Sequence, residues 1–311
     1  MALKKILNFK IINTFTIVIS FIVSFFILDL GVNSFLRKGL KKYYGIEDNS
    51  EIALIGHSHI MLGLDKESME KELNIKVAKY TSEGVDILNR KVMIDYLLEK
   101  NDSIKLLIYG VDAWSFSGEG LSANSQVLFY PFLDNVNIDH YLRECVPFKD
   151  YLTRKIIKTT RYNEGLISSS FRGYLQNWDN MKSGTVNLKK VKEQIAKNKY
   201  RKINNNPLYI QTLTQTIETL SLNKIKIILF YIPTLHLINE VENKKFKKNI
   251  NIFEQIESDY DNVKFINFTE AYSHRYELFY DPIHLNSVGQ KLVTDSLIKI
   301  LQKNYYNDIG I

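Results

Sequence analysis

Two short segments near opposite ends of the chain carry side chains that together could form and break a serine ester. Gly56-His57-Ser58-His59 supplies a hydroxyl, and Asp281-Pro282-Ile283-His284 supplies an imidazole with a carboxylate three residues before it. A serine hydroxyl is a weak nucleophile at neutral pH unless an imidazole takes its proton, and a carboxylate usually fixes that imidazole's tautomer. Ser58, His284 and Asp281 could serve as nucleophile, base and orienting acid. A tight turn can bring residues three apart into hydrogen-bonding reach, and Pro282 stiffens this one.

Each of these residues also has a plainer role. A serine between a strand and a helix is often only an N-cap, and a lone loop histidine usually lies at the surface. His57, His59, His284 and Asp281 could instead ligate a tetrahedral zinc ion. No histidine pair has the i, i+4 spacing of a helical site, however. In an extended chain His57 and His59 would share one face, with Ser58 on the other. We therefore expect no metal. His59 is expected to shape the crevice or bond locally, while His57 and His236 have no assigned role.

The elements that must position these segments are marked by hydrophobic rhythm. Short apolar runs at Ile52–Ile55, Val77–Tyr80, Ile104–Tyr109, Ile225–Tyr231 and Val263–Asn267 read as strands. Amphipathic stretches at Val85–Glu99, Leu208–Leu222 and about Ser287–Gln302 read as helices. That alternation predicts an α/β fold with a doubly wound parallel sheet, whose ligands lie outside the carboxyl ends of the strands. Gly56–His59 follows the first strand, Ser82-Glu83-Gly84 the second, Gly110-Val111-Asp112 the third and Tyr231-Ile232-Pro233 the fourth. Asp281–His284 precedes the last helix and should reach the same edge. At a strand-to-helix turn, Ser58 would sit where unpaired backbone N–H groups can stabilise an oxyanion. No turn is a Gly-rich phosphate loop.

Between the two halves, about residues 115–205 lack the rhythm and read as a mostly helical insertion or lid. In and beside it, Trp114, Tyr162, Phe171, Arg172, Tyr174 and Trp178 could stack on sugars and bind acidic groups, or could form the insertion's own core. Ahead of the domain, Ile11–Leu30 is long and apolar enough for a membrane helix. No small-x-small cleavage pattern follows Leu28, so an uncleaved anchor over residues 1–42 is expected, with the α/β domain over 50–311. Lys4, Lys5 and Lys10 before the segment nearly balance Arg37, Lys38, Lys41 and Lys42 after it. A long downstream domain translocates largely regardless of such charges, which favours an extracytoplasmic domain.

Composition excludes other classes. Hydrophobic residues at 45% rule out disorder, and the single cysteine, Cys145, rules out an intramolecular disulfide. The net charge of +7 comes from scattered lysines. Runs such as Lys189-Lys190-Val191-Lys192 and Lys244-Lys245-Phe246-Lys247-Lys248 suit solvated helix faces, or attraction to anionic lipid or polymer. No motif supports nucleic-acid binding.

Gly-x-Ser after the first strand and Asp-x-x-His before the last helix resemble the first and last blocks of the SGNH (GDSL-like) hydrolases, over about residues 50–302. That resemblance implies a flavodoxin-like parallel sheet and hydrolysis or transfer of acyl esters through a serine, without metal or other cofactor. It implies Ser58 as nucleophile, His284 as base and Asp281 as its partner, with the amides of Ser58 and Gly84 as oxyanion donors. Gly84 could equally be a turn glycine opening the next helix.

The third block departs from the family, since many members carry an oxyanion-binding asparagine where this chain has Asp112. An ionised carboxylate accepts hydrogen bonds and donates none. Asp112 is thus a pocket candidate rather than a catalytic one, with capping of the next segment as its plainer role. An anchor ahead of such a domain resembles the extracytoplasmic partners of membrane-bound O-acyltransferases that modify alginate, peptidoglycan or teichoic acids. This implies an acyl donor that loads Ser58, a glycan or other ester substrate, and a membrane-bound O-acyltransferase as partner. A catalytically weak scaffold or glycan-binding partner is the other reading.

Overall fold

The computed structural model describes residues 2–118 and 125–305, with side chains from residue 13 onward. Residues 119–124 of the expected insertion and 306–311 of the expected domain lie outside the described residues. One unbroken helix, α1 (Ala2–Tyr44), leads into β1 (Ile52–Gly56), α2 (Ser58–Gly63), α3 (Lys66–Leu73), β2 (Val77–Thr81), α4 (Ile87–Lys100) and β3 (Leu106–Val111). A helical stretch follows with α5 (Val136–Cys145), α6 (Phe148–Ile156), α7 (Glu164–Leu175) and α8 (Leu188–Ala196). The alternation resumes with α9 (Pro207–Leu222), β4 (Lys226–Tyr231), α10 (His236–Val241), α11 (Asn243–Asp259), β5 (Val263–Asn267), α12 (Thr269–Tyr272) and α13 (Ser287–Asn304).

The five strands pair in parallel in the order β2-β1-β3-β4-β5, the flavodoxin-like arrangement. β1, β2 and β3 are buried along their whole length, so they read as continuous apolar runs rather than as alternation. Alternate residues face opposite layers. Ala53, Ile55, Leu107, Tyr109 and Leu229 pack with α4, α9 and α11, while Ile52, Leu54, Leu106, Ile108 and Phe230 pack with α2, α3 and α13. Strand order reverses between β1 and β3, the place at the carboxyl edge where such sheets hold their ligands. The residues after β1 and β3 therefore converge.

Helix α1 extends well beyond the expected Ile11–Leu30, for a reason visible in its packing. Side chains from Asn13 to Leu28 are all exposed, and the apolar part of the helix reaches a mean hydropathy of 2.4, enough to cross a membrane. Asp29 is the first to turn inward. Its carboxylate accepts from the amides of Lys158 (2.8 Å) and Thr159 (2.7 Å) and from the Thr159 hydroxyl (2.7 Å). Beyond it Leu36, Leu40, Tyr43 and Tyr44 are buried, and Tyr44 packs on Tyr80 of β2. The second half of α1 is thus part of the α/β core.

The aromatic residues of the insertion hold this helix. The Tyr162 hydroxyl bonds Asn33, that of Tyr174 donates to the Phe35 carbonyl, and the Trp178 indole donates to the Tyr43 carbonyl. The Phe35 ring stacks on Tyr174 and meets Phe171 edge-on, and Arg172 lies over the Tyr43 ring. Trp114 packs in the sheet's α2/α13 layer and donates to the Arg201 carbonyl. Most of these residues clamp α1.

Candidate active site

The first segment is set by close packing at the switch point. α2 lies directly over β1 and β3, with the Ile60 side chain against Gly56 and Gly110. A Cβ at Gly56 would stand 2.6 Å from Ile60 Cγ1, and one at Gly110 would stand 2.2 Å from it. Gly56 at the end of β1 and Gly110, one residue before the end of β3, therefore leave the room in which Ile60 seats α2.

Ser58 is the first residue of α2 and not its cap. His57 is the N-cap, accepting the His59 amide on its Nδ1 at 3.1 Å. With Nδ1 an acceptor, the ring proton sits on Nε2 and donates to Asp112 Oδ2 at 2.6 Å. Asp112 Oδ1 accepts from the Trp114 amide (2.8 Å) and the Ser115 hydroxyl (3.1 Å). Capping by an imidazole leaves the Ser58 hydroxyl uncommitted to the helix. This role for His57 escaped the sequence reading because histidine is a rare cap; its spacing from Asp112, at the next strand end, was the available signal.

Asp112 is fully buried. Burial pushes its carboxyl up, but the hydrogen bond from His57 and the Arg201 guanidinium beyond it hold it well below the ordinary range. It is an anion that caps the turn after β3. Burial likewise lowers the His57 and His59 imidazoles, keeping both neutral. His59 is buried with its ring edge-on to His284, centroids 5.3 Å apart, and forms a wall of the site.

The second segment is fixed by Asn286, the N-cap of α13. Its Oδ1 accepts from the Val288 and Gly289 amides, while its Nδ2 donates to the carbonyls of Gly184 and Glu277. Within the turn, Asp281 Oδ1 accepts from the amides of Ile283 (2.9 Å) and His284 (2.8 Å). Asp281 Oδ2 lies 2.8 Å from His284 Nδ1, and His284 Nε2 lies 2.8 Å from Ser58 Oγ. Burial raises the Asp281 carboxyl, yet the His284 hydrogen bond and the two amides outweigh it and leave it below the usual range. Asp281 is therefore ionised, His284 Nδ1 carries the proton it accepts, and His284 Nε2 presents a lone pair to the Ser58 hydroxyl.

Gly84 sits in the β2–α4 turn with φ +73°, a left-handed conformation that favours glycine. Among the described residues, the Ser58 and Gly84 amides meet no acceptor. His236 stacks on His274, apart from the Ser58 relay. Beside the site, a cleft of about 340 Å³ is lined by Tyr43, Met61, Ser82, Glu83, Arg172 and Asn180. A larger cleft of about 510 Å³ lies at the opposite, amino edge around Lys226, Asp261 and Val263, away from the relay.

His57, His59 and Asp112 offer three close ligand atoms. Nitrogen and oxygen ligands on one tetrahedral zinc stand about 3.3 Å apart. The 2.6 Å between His57 Nε2 and Asp112 Oδ2 is a hydrogen bond, and both His57 nitrogens are engaged. These residues do not fit a metal. His284 and Asp281, the remaining ligands of the zinc alternative, belong to the Ser58 relay.

No protein-family model and no curated protein matches the sequence. Solved structures similar to the chain include a candidate platelet activating factor from Streptococcus pneumonia, at 11% identity and TM-score 0.46, covering 89% of this chain and 98% of that one. A GDSL-like lipase from Bacteroides thetaiotaomicron is similar at 10% identity and TM-score 0.39, over 82% of this chain and 89% of its own. TesA is similar at 11% identity and TM-score 0.41, over 81% and 98%. The chemistry of the site rests on its own atoms.

Proposed function

We propose that the chain is a membrane-anchored SGNH-type serine enzyme that cleaves or transfers acyl esters through an acyl-Ser58 intermediate. One observation carries this reading: the unbroken Ser58–His284–Asp281 relay, with both hydrogen bonds at 2.8 Å, at the switch point of the sheet. Ser58 Oγ attacks the acyl carbonyl carbon as His284 Nε2 takes its proton, and negative charge moves to the carbonyl oxygen. The Ser58 and Gly84 amides are its proposed donors. Collapse expels the alcohol, which recovers the proton from His284, and the acyl group remains on Ser58 as an ester. Water or a second hydroxyl then attacks that ester, passing its proton to His284, and Ser58 leaves as its Oγ takes that proton from His284.

For the acceptor we propose a cell-envelope glycan hydroxyl, with the domain outside the cytoplasmic membrane and a membrane-bound O-acyltransferase supplying the acyl group. The polar cleft beside Met61, with Ser82, Glu83, Arg172 and Asn180, suits a hydroxylated ligand. The second reading, a weakly catalytic scaffold, draws on Asp112, which offers no third oxyanion donor. Acyl transfer to glycan measured against hydrolysis separates transferase from esterase, and hydrolysis alone with glycan present contradicts transfer. Reporter fusions that place the C-terminal end in the cytoplasm contradict the envelope location.

A further inference from the structure

α6 carries a stripe of apolar side chains that the domain leaves uncovered. Phe148, Leu152 and Ile156 recur every four residues and so lie on one face, while Tyr151, to one side of that face, is buried. Phe148 is 75% exposed and Ile156 is 51% exposed. Lys149 and Lys155 flank the stripe, where their stems can follow the apolar face and their ammonium groups can reach past it. Residues 148–161 hold Lys149, Arg154, Lys155, Lys158 and Arg161 against a single acid, Asp150. Lys155 pairs with Asp139, Lys158 and Arg161 with Asp134, and Arg154 with Asp150.

The position of α6 along α1 says what covers this stripe. α6 ends two residues before Lys158, whose amide is held by Asp29. Asp29 is the first buried side chain after the outward-facing run over residues 13–28, and Leu30, Val32 and Phe35 on the other face stay exposed beyond it. The carboxyl end of α6 therefore stands at the level where α1 passes from an apolar surround into the domain. A short helix with an apolar stripe between lysines, held at that level, has the build of an interfacial helix.

We propose that α6 lies in the headgroup region of the membrane that α1 enters, with Phe148, Leu152 and Ile156 against the acyl boundary and Lys149 on anionic lipid phosphates. This rests on the membrane-anchor reading of α1. The contact gives the domain a second attachment, which sets its tilt on the bilayer and hence the direction in which the Ser58 crevice opens.

Depth-dependent fluorescence quenching of the full chain in lipid nanodiscs tests it. In a Cys145→Ser background, Phe21→Cys, Leu152→Cys and Leu222→Cys are labelled in turn, and lipids carry a spin label at the headgroup or deep in the chain. The expected result is strong deep quenching at position 21, shallow quenching at 152 at least threefold above that at 222, and a rise at 152 when phosphatidylglycerol replaces phosphatidylcholine. Quenching at 152 no greater than at 222, with 21 still quenched, overturns the α6 proposal alone and points to a protein partner or to solvent on the stripe. Absence of quenching at 21 overturns the anchor reading, and the proposal with it. Equal quenching at 152 in the two lipids overturns the anionic preference.

Discussion

Asp112→Asn tests the reasoning about the buried pair beneath the nucleophile, because the substitution keeps the shape and removes one acceptor. The wild-type carboxylate serves three donors: His57 Nε2–H, the Trp114 amide and the Ser115 hydroxyl. An asparagine has one oxygen, so facing it toward Trp114 turns its NH2 on His57 Nε2–H. Facing it toward His57 turns the NH2 on the Trp114 amide. Shifting the His57 proton to Nδ1 only moves the conflict to the His59 amide. Every arrangement leaves one buried donor unmet, at a cost of about 1–3 kcal/mol. The His57 cap carries Ser58 on α2, so reaction at Ser58 should slow roughly 10- to 100-fold from misplacement alone.

Urea unfolding and the rate of fluorophosphonate labelling read the two effects. A double-mutant cycle with His57→Ala should show a coupling of about 1 kcal/mol or more. Unchanged stability with unchanged labelling refutes the pair. Faster labelling refutes it more sharply, since an asparagine that helps would mean that position 112 faces the oxyanion.

Further outcomes follow from the same contacts. Burial holds His57 and His59 below the ordinary imidazole value of 6.5, so the unfolded chain protonates first as pH falls. Stability should drop from pH 7 through 6.5 toward the lowered native values, by up to about 1.4 kcal/mol per pH unit per histidine, before carboxylates titrate; a flat urea midpoint between pH 7 and 5 would contradict this. Asp281→Asn removes the acceptor that fixes the His284 tautomer and should cut turnover roughly 10⁴-fold with little change in melting; activity within tenfold of wild type counts against the relay. Deleting residues 2–28 should leave a folded domain, whereas deleting 2–44 strips Leu36, Leu40, Tyr43 and Tyr44 from the core. Those four are worth roughly 6–12 kcal/mol, comparable with a whole domain's stability; matching circular dichroism melts for the two truncations would contradict the packing of α1.

The sheet was legible because β1 to β4 are apolar runs framed by helical periodicity, and Ser58, Asp281 and His284 because parallel topology sends both segments to one edge. Helix α1 was legible only in its apolar half. Its other half is amphipathic and is held by Tyr162, Tyr174 and Trp178 from more than a hundred residues away, which local pattern does not reveal. His57 was overlooked for a similar reason, since its two hydrogen bonds depend on a tautomer set by Asp112 on another strand. Gly56 and Gly110 could be read as turn residues, but their shared contact with Ile60 emerges only once β1 and β3 are neighbours.

The central claim is that Ser58 is a nucleophile activated by His284. Intact mass after fluorophosphonate treatment of the full-length protein tests it most directly. Wild type should gain one phosphonyl adduct, mapped to Ser58 by peptide sequencing, while folded Ser58→Ala and His284→Ala proteins gain none under the same conditions. An adduct of equal yield on Ser58→Ala, or no adduct on wild type where a serine esterase control is fully labelled, would contradict it.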